Sequence, residues 1–223
     1  MTSQHCIGDY LYLIHVGSIT PNPVTCKYLS YVIETCYKDS SCLGIMISGG
    51  CGFCYRELLR AKSFNLRVLA ITNWLDDVFS IRLLKNLDFF IGGTWKSLNS
   101  VLIGGVDGKE PYQSINRLIK EYNNIKSSVP IIILSYHPMK GVCDKVISMN
   151  LHIGLDILSE IISRLNVSAL LSSHISINNP CIMRKNSTII INTPPLERGI
   201  YSCVYLDTWD VRFEFTDPSK ESC

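Results

Sequence analysis

The sequence predicts an α/β fold, largely parallel sheet with an antiparallel tail, on three observations. Apolar runs of strand length recur along the chain. Stretches with apolar residues three and four apart, the spacing of a helix face, lie between most of them. The last interval, Cys181 to Phe215, carries strand patterns with no helix between them. Strands alternating with helices form βαβ units and pair in parallel, whereas consecutive strands pair antiparallel.

Taken in order, the run Tyr10–Ile14 ends at His15 and the helical pattern Val24–Tyr37 follows. Leu43–Ser48 runs into Gly49-Gly50-Cys51-Gly52-Phe53-Cys54, then a helix over Tyr55–Ala61. Arg67–Ile71 precedes Thr72-Asn73-Trp74-Leu75-Asp76-Asp77 and a helix over Val78–Leu87. Val101–Val106, the helical Tyr112–Ile125, Ile131–Tyr136, the helical Gly154–Leu165 and Ala169–Ser172 continue the alternation, and Thr188–Asn192 and Ser202–Asp207 close it. Gly92-Gly93 and Gly104-Gly105 read as turns between strands, since neither has the spacing of a phosphate-binding loop. With no internal repeat or linker, residues 1–223 read as a single domain.

The chain of 223 residues is 47% hydrophobic, enough for a substantial core. A net charge of +2 and a charged fraction of 18% do not support a dedicated nucleic-acid binder. No window reaches the roughly 18 apolar residues of a membrane span, and the start lacks a signal-peptide pattern, so a soluble cytoplasmic protein is expected. Ten cysteines are many for reducing cytosol, intracellular proteins of hyperthermophiles being the recognised exception. Cys36, Cys181 and Cys203 lie in apolar surroundings and read as buried thiols acting as small hydrophobes.

Ligands of open α/β sheets gather at the carboxyl ends of strands. Three of the five histidines, His15, His137 and His174, directly follow expected strands. His152 reads as a structural helix-opening residue and His5 as terminal and exposed. Trp74 and Trp95 read as core aromatics first, with a ligand cleft or a protein interface as the alternative. No serine lies in a Gly-x-Ser-x-Gly elbow.

The order of these loops resembles that of the calcineurin-like metallophosphoesterases. Ile131-Ile-Ile-Leu-Ser-Tyr-His137-Pro138 resembles the family's strand ending in a metal-ligand histidine, and Leu151-His152-Ile153-Gly154 the segment opening the next helix. Ala169-Leu-Leu-Ser-Ser-His174-Ile-Ser176 is similar to the Gly-His-x-His motif, and Ile191-Asn192-Thr-Pro-Pro-Leu196 through Tyr201 to the Asn-Pro-Gly and Gly-x-Tyr ending. In the first half the layout matches more than the chemistry: Leu13-Ile14-His15 falls near Asp-x-His, Gly50 to Cys54 near Gly-Asp-x-x-Asp, and Thr72 to Asp76 near Gly-Asn-His-Asp. The resemblance implies a sandwich of two mixed β-sheets flanked by helices.

It also implies a divalent metal site. Members hold two ions that clamp phosphoryl oxygens and activate water. Carried over by position, Asn73, His137 and His174 match the second-metal ligands, and His15 alone remains for the first. The bridging aspartate is replaced by Gly50 or Cys51, the first aspartate by Leu13 or Ile14, and the last histidine by Ser176. The leaving-group histidine appears as Trp74 or Leu75, while Asp76 or Asp77 matches the aspartate that orients it. Without these carboxylates a pair of hard cations is poorly neutralised. The expectation is a degenerate member acting in binding or assembly, with a protein partner or a second copy of the chain. The enzymatic alternative is a phosphohydrolase holding one zinc, iron or manganese on Asn73, His137, His174 and Cys51, with His15 in reach. Cys51 and Cys54 also read as a turn disulfide, a reactive dithiol or two plain thiols.

Overall fold

The computed structural model describes residues 10–125, 128–174 and 176–216. Strand β1 (Tyr12–Val16) leads to helix α1 (Pro23–Lys38), β2 (Cys42–Ser48) through a 3-10 turn at Cys51–Cys54 to α2 (Tyr55–Ser63), and β3 (Val68–Ile71) to α3 (Val78–Asn86). Next come β4 (Trp95–Leu98), β5 (Val101–Val106), α4 (Pro111–Ile125), β6 (Ile131–Ser135), the short pair β7 (Lys145–Val146) and β8 (Leu151–His152), α5 (Ile157–Leu165) and β9 (Ala169–Ser172). Strands β10 (Cys181–Lys185), β11 (Thr188–Asn192), β12 (Ile200–Tyr205) and β13 (Val211–Phe215) complete the order with no α-helix between them. Helix starts follow local chemistry: the Asn22 side chain accepts from Val24 N ahead of α1, and Asp77 accepts from Ser80 N ahead of α3.

Two mixed sheets stack on one another, ordered β13-β12-β1-β2-β3 and β10-β11-β9-β6-β5-β4, with β7 and β8 forming a separate hairpin. β1, β2 and β3 run parallel, as do β5, β6, β9 and β11, while β12, β13, β10 and β4 join antiparallel. Because side chains alternate across a strand, each sheet presents two apolar faces. Leu13, Met46 and Ile71 of the first sheet meet Ile103, Leu134, Leu171 and Ile191 of the second in the interlayer core. The opposite faces pack under helices, Tyr12, Ile14 and Ile45 with Leu29 and Leu58, and Ile133, Leu170 and Ile190 with Leu118 and Ile161. Among the described residues no helix is long and apolar enough to cross a membrane.

Several expectations are corrected. β1 runs to Val16, so His15 lies inside the strand and points into the interlayer space with Leu13. Gly104 and Gly105 are interior to β5: a side chain at Gly104 would begin 2.7 Å from the Trp95 ring, and one at Gly105 would begin 2.4 Å from the Ile91 carbonyl oxygen, so these glycines permit close packing instead of a turn. His152 is on β8 opposite Lys145, since α5 starts only at Ile157. Trp95 packs on Tyr122 and donates to the Leu118 carbonyl, a core role, whereas Trp74 is exposed. His5 lies outside the described residues.

Cysteine pairing differs most. Cys26–Cys54, Cys36–Cys42 and Cys143–Cys181 are disulfides, and Cys203 is also disulfide-bonded, so Cys36, Cys181 and Cys203 are not thiols. Cys54 sits at the start of α2 facing Cys26 of α1 and is consumed there, so neither a turn disulfide nor a dithiol forms with Cys51. Among the described residues Cys51 is the free cysteine.

Candidate functional site

Where the parallel strands of both sheets end, small polar side chains tie the layers together. His15 Nε2 lies 2.9 Å from Ser48 Oγ and its Nδ1 2.8 Å from Thr193 Oγ1, which in turn meets Ser202 Oγ at 2.9 Å. All four residues are buried. Ser18 N donates to Ser173 Oγ at 2.8 Å, and Asn73 Nδ2 donates to Ser18 Oγ at 2.8 Å, so the ends of β1, β3 and β9 form one network.

Of the expected metal ligands His137 and His174 are brought together, and most of the set is already engaged in internal bonds. Asn73 Oδ1 accepts from Leu75 N at 2.8 Å and from Asp76 N at 3.2 Å, a turn that uses the oxygen a cation would need. Both nitrogens of His15 meet hydroxyls, and burial holds its imidazole neutral, down at about 3. His137 and His174 face each other with ring centroids 5.9 Å apart beside Tyr136. His137 Nε2 is 3.0 Å from the Gly108 carbonyl, which only accepts, so Nε2 carries the proton. His174 Nδ1 accepts from Ser176 N at 3.2 Å, which spends its lone pair. Burial, and after it the neighbouring His137, holds His174 down at about 4.

Of the two positions matched to the bridging aspartate, Gly50 is closed by the backbone. Gly50 has φ of 79°, and a side chain there would begin 1.8 Å from the Ile19 carbonyl oxygen. Cys51, the other candidate for that position, is buried in the core under α1 and α2, where burial and the nearby Asp76 push its thiol up and keep it protonated. Asp76 Oδ2 accepts from Gly50 N at 2.7 Å and Asn73 N at 2.8 Å, a clamp between the β2 and β3 loops. Asp77 is an exposed cap for α3.

One acidic residue escaped the sequence reading. Asp107, after β5, is buried, accepts from the Thr72 hydroxyl and lies close enough to His137 to act on its charge. Burial pushes its carboxyl up, partly offset by the Thr72 bond. The available signal was a carboxylate placed directly after a fully apolar strand, in Val106-Asp107-Gly108. Among the described residues one group of three His, Cys, Asp or Glu side chains converges to metal-binding distance, Cys26, Cys54 and Glu57, and its two sulfurs are bonded to each other. The residues present therefore do not fit a two-metal centre: carboxylates are lacking at its core, and of the carried-over donors only His137 Nδ1 presents a lone pair outside the bonds described.

Two mixed sheets flanked by helices, with loops converging at the ends of parallel strands, define the calcineurin-like metallophosphoesterase fold. Solved structures agree with it. The protein TT1561 of Thermus thermophilus superimposes with a TM-score of 0.72 at 14% identity, over 92% of this chain and 99% of that one. The phosphopantetheinyl hydrolase of Mycobacterium tuberculosis does so at 0.54 and 8% identity, over 97% and 100%. GAP50, the anchor in the inner membrane complex of Plasmodium, does so at 0.55 and 11% identity, over 95% and 86%. No protein-family model and no curated protein matches the sequence.

Proposed function

We propose that this chain uses the phosphoesterase fold for binding or assembly with a protein partner instead of two-metal hydrolysis. The observation that carries the reading is that neither residue matched to the bridging carboxylate can serve: at Gly50 the Ile19 carbonyl stands 1.8 Å from the start of any side chain, and Cys51 is buried in the core. Restoring an aspartate at Gly50 would require moving the backbone as well as changing the residue.

An apolar rim around the same loops supports a partner. Gly52 packs against Ser80, and Asp76 accepts from Gly50 N, so the turn after β2 and the start of α3 form one surface. Phe53, Trp74, Val78 and Phe79 are all exposed on these segments. The anchor protein of Plasmodium is a precedent for an assembly role on this fold. The disulfides favour an oxidising setting, or the cytoplasm of a hyperthermophile, over ordinary reducing cytosol.

The test is turnover of bis(4-nitrophenyl) phosphate with added manganese, beside the elemental content of protein purified without chelator. The expected result is background turnover and no stoichiometric transition metal. Turnover, or near-stoichiometric zinc, iron or manganese lost in His137→Ala, would overturn the reading in favour of a single-metal phosphohydrolase.

A further inference from the structure

A cleft of about 650 Å³ opens between the β7–β8 hairpin and the residues that follow His174 after β9. That volume is in the range of small-molecule sites. One wall carries Lys145 and His152, a directly opposed cross-strand pair whose side chains stand on the same face of the hairpin. Asp144, 1% exposed, accepts from His152 Nδ1 at 2.7 Å and from the backbone N–H groups of Gly141 and Gly154 at 3.0 and 3.1 Å. Both carboxylate oxygens are thereby engaged by internal donors, and the pair fixes the ring so that Nε2 points away from Asp144. Lys145 takes part in no ion pair among the described residues.

The facing wall offers the amides of Asn178 and Asn179, and Ile147, Ile177 and the Cys143–Cys181 disulfide give apolar surface. The disulfide joins the two walls covalently. A second observation lies behind the Cys181 wall. Asn192 of β11 pairs directly with Cys181, so their side chains share a sheet face. Its carboxamide is fully buried, and neither polar atom has a partner among the described residues. Unpaired buried amides are rare and expensive, and where they occur they call for a polar group from elsewhere.

We infer that this cleft binds a small organic oxyanion. Its charged head sits on Lys145 beside the His152 ring, and its apolar body lies between Ile147, Ile177 and the disulfide. Phosphate and carboxylate heads share this chemistry. The cleft shares Ser176 with the loop after β9, but Lys145 and His152 stand on the β7–β8 hairpin, so anion binding there does not require hydrolysis at the strand ends.

The experiment follows the histidine ring resonances of the intact protein by NMR during titration with phenyl phosphate, phenylacetate and, as a neutral control, benzyl alcohol. A saturable shift of His152 with one or both anions is expected, with affinity falling about tenfold in Lys145→Met, the worth of one charged hydrogen bond. Stronger binding of phenyl phosphate assigns a phosphate head, and stronger binding of phenylacetate a carboxylate head. No saturable shift at His152, undiminished affinity in Lys145→Met, or equal binding of benzyl alcohol would overturn the proposal. Lys145 is exposed on a two-residue strand, and unchanged His15 resonances verify that the variant is folded.

Discussion

The His15 ring on β1 reaches across the sandwich to Thr193 beyond β11, Nδ1 to Oγ1 at 2.8 Å, and so joins the two sheets at the end where their parallel strands terminate. Ser48 holds the other ring nitrogen at 2.9 Å. One hydroxyl donates to one nitrogen while the other accepts from the second, so a neutral imidazole is fully satisfied, and burial away from water disfavours the imidazolium.

The first prediction concerns pH. His15 titrates at about 3 in the folded protein against 6.5 when unfolded, so between these values the unfolded chain binds the extra proton. Stability from this group is complete above pH 6.5 and is lost as pH falls toward 3, at a limiting slope of about 1.4 kcal/mol per pH unit. His174, held at about 4, acts with the same sign. Urea unfolding from pH 7 to pH 4 should show this decline, and His15→Gln should flatten it by about one proton while lowering stability at pH 7. An unchanged slope in the variant would contradict the assignment.

Asp76 supplies the second. Its carboxylate satisfies Gly50 N and Asn73 N, two buried donors on the loops after β2 and β3. Asp76→Ala leaves two buried donors unpaired and should cost about 3 kcal/mol in urea unfolding, whereas Asp77→Ala, which removes an exposed helix cap, should cost distinctly less. Equal losses would mean that Asp76 is not the clamp.

How far the sequence alone reached is clear from particular elements. Val101–Val106, Ala169–Ser172 and Thr188–Asn192 stand where their apolar runs ended, because a fully buried strand needs no partner chemistry to be recognised. The hairpin β7–β8 and strand β4 were not foreseen, because Lys145-Val146, Leu151-His152 and Trp95–Leu98 are short and mixed in polarity and acquire order from their partners. At the site, residue types and loop order could be read. What could not be read was backbone geometry: the positive φ of Gly50, the turn that uses Asn73 Oδ1 and the disulfide that removes Cys54 each depend on contacts distant in sequence.

The disulfides give a third prediction, an order of losses. In the chain-entropy account a crosslink stabilises more as the loop it closes lengthens. Cys143–Cys181 spans 38 residues and Cys36–Cys42 spans 6. Replacing both cysteines of each pair by serine should cost about 4 kcal/mol for the first and about 2 kcal/mol for the second. Alkylation without reductant should leave Cys51 unmodified until denaturant is added, given its burial. Rapid modification of Cys36 or Cys143 in the native, unreduced protein would remove the pairing on which this rests.

The last prediction separates a structural amide from a ligand-facing one. Asn192 is fully buried with no partner for either polar atom among the described residues, so it contributes desolvation cost to the folded state without a compensating bond. Asn192→Leu keeps the branched shape and removes that cost, so the urea midpoint should hold or rise, by as much as about 1 kcal/mol. Most buried substitutions do the opposite. If the amide serves the cleft beside Cys181, the same variant should weaken binding of the oxyanion probe although the protein is no less stable. Loss of stability in Asn192→Leu would show that the carboxamide is bonded after all, and unchanged binding would show that the cleft does not use it.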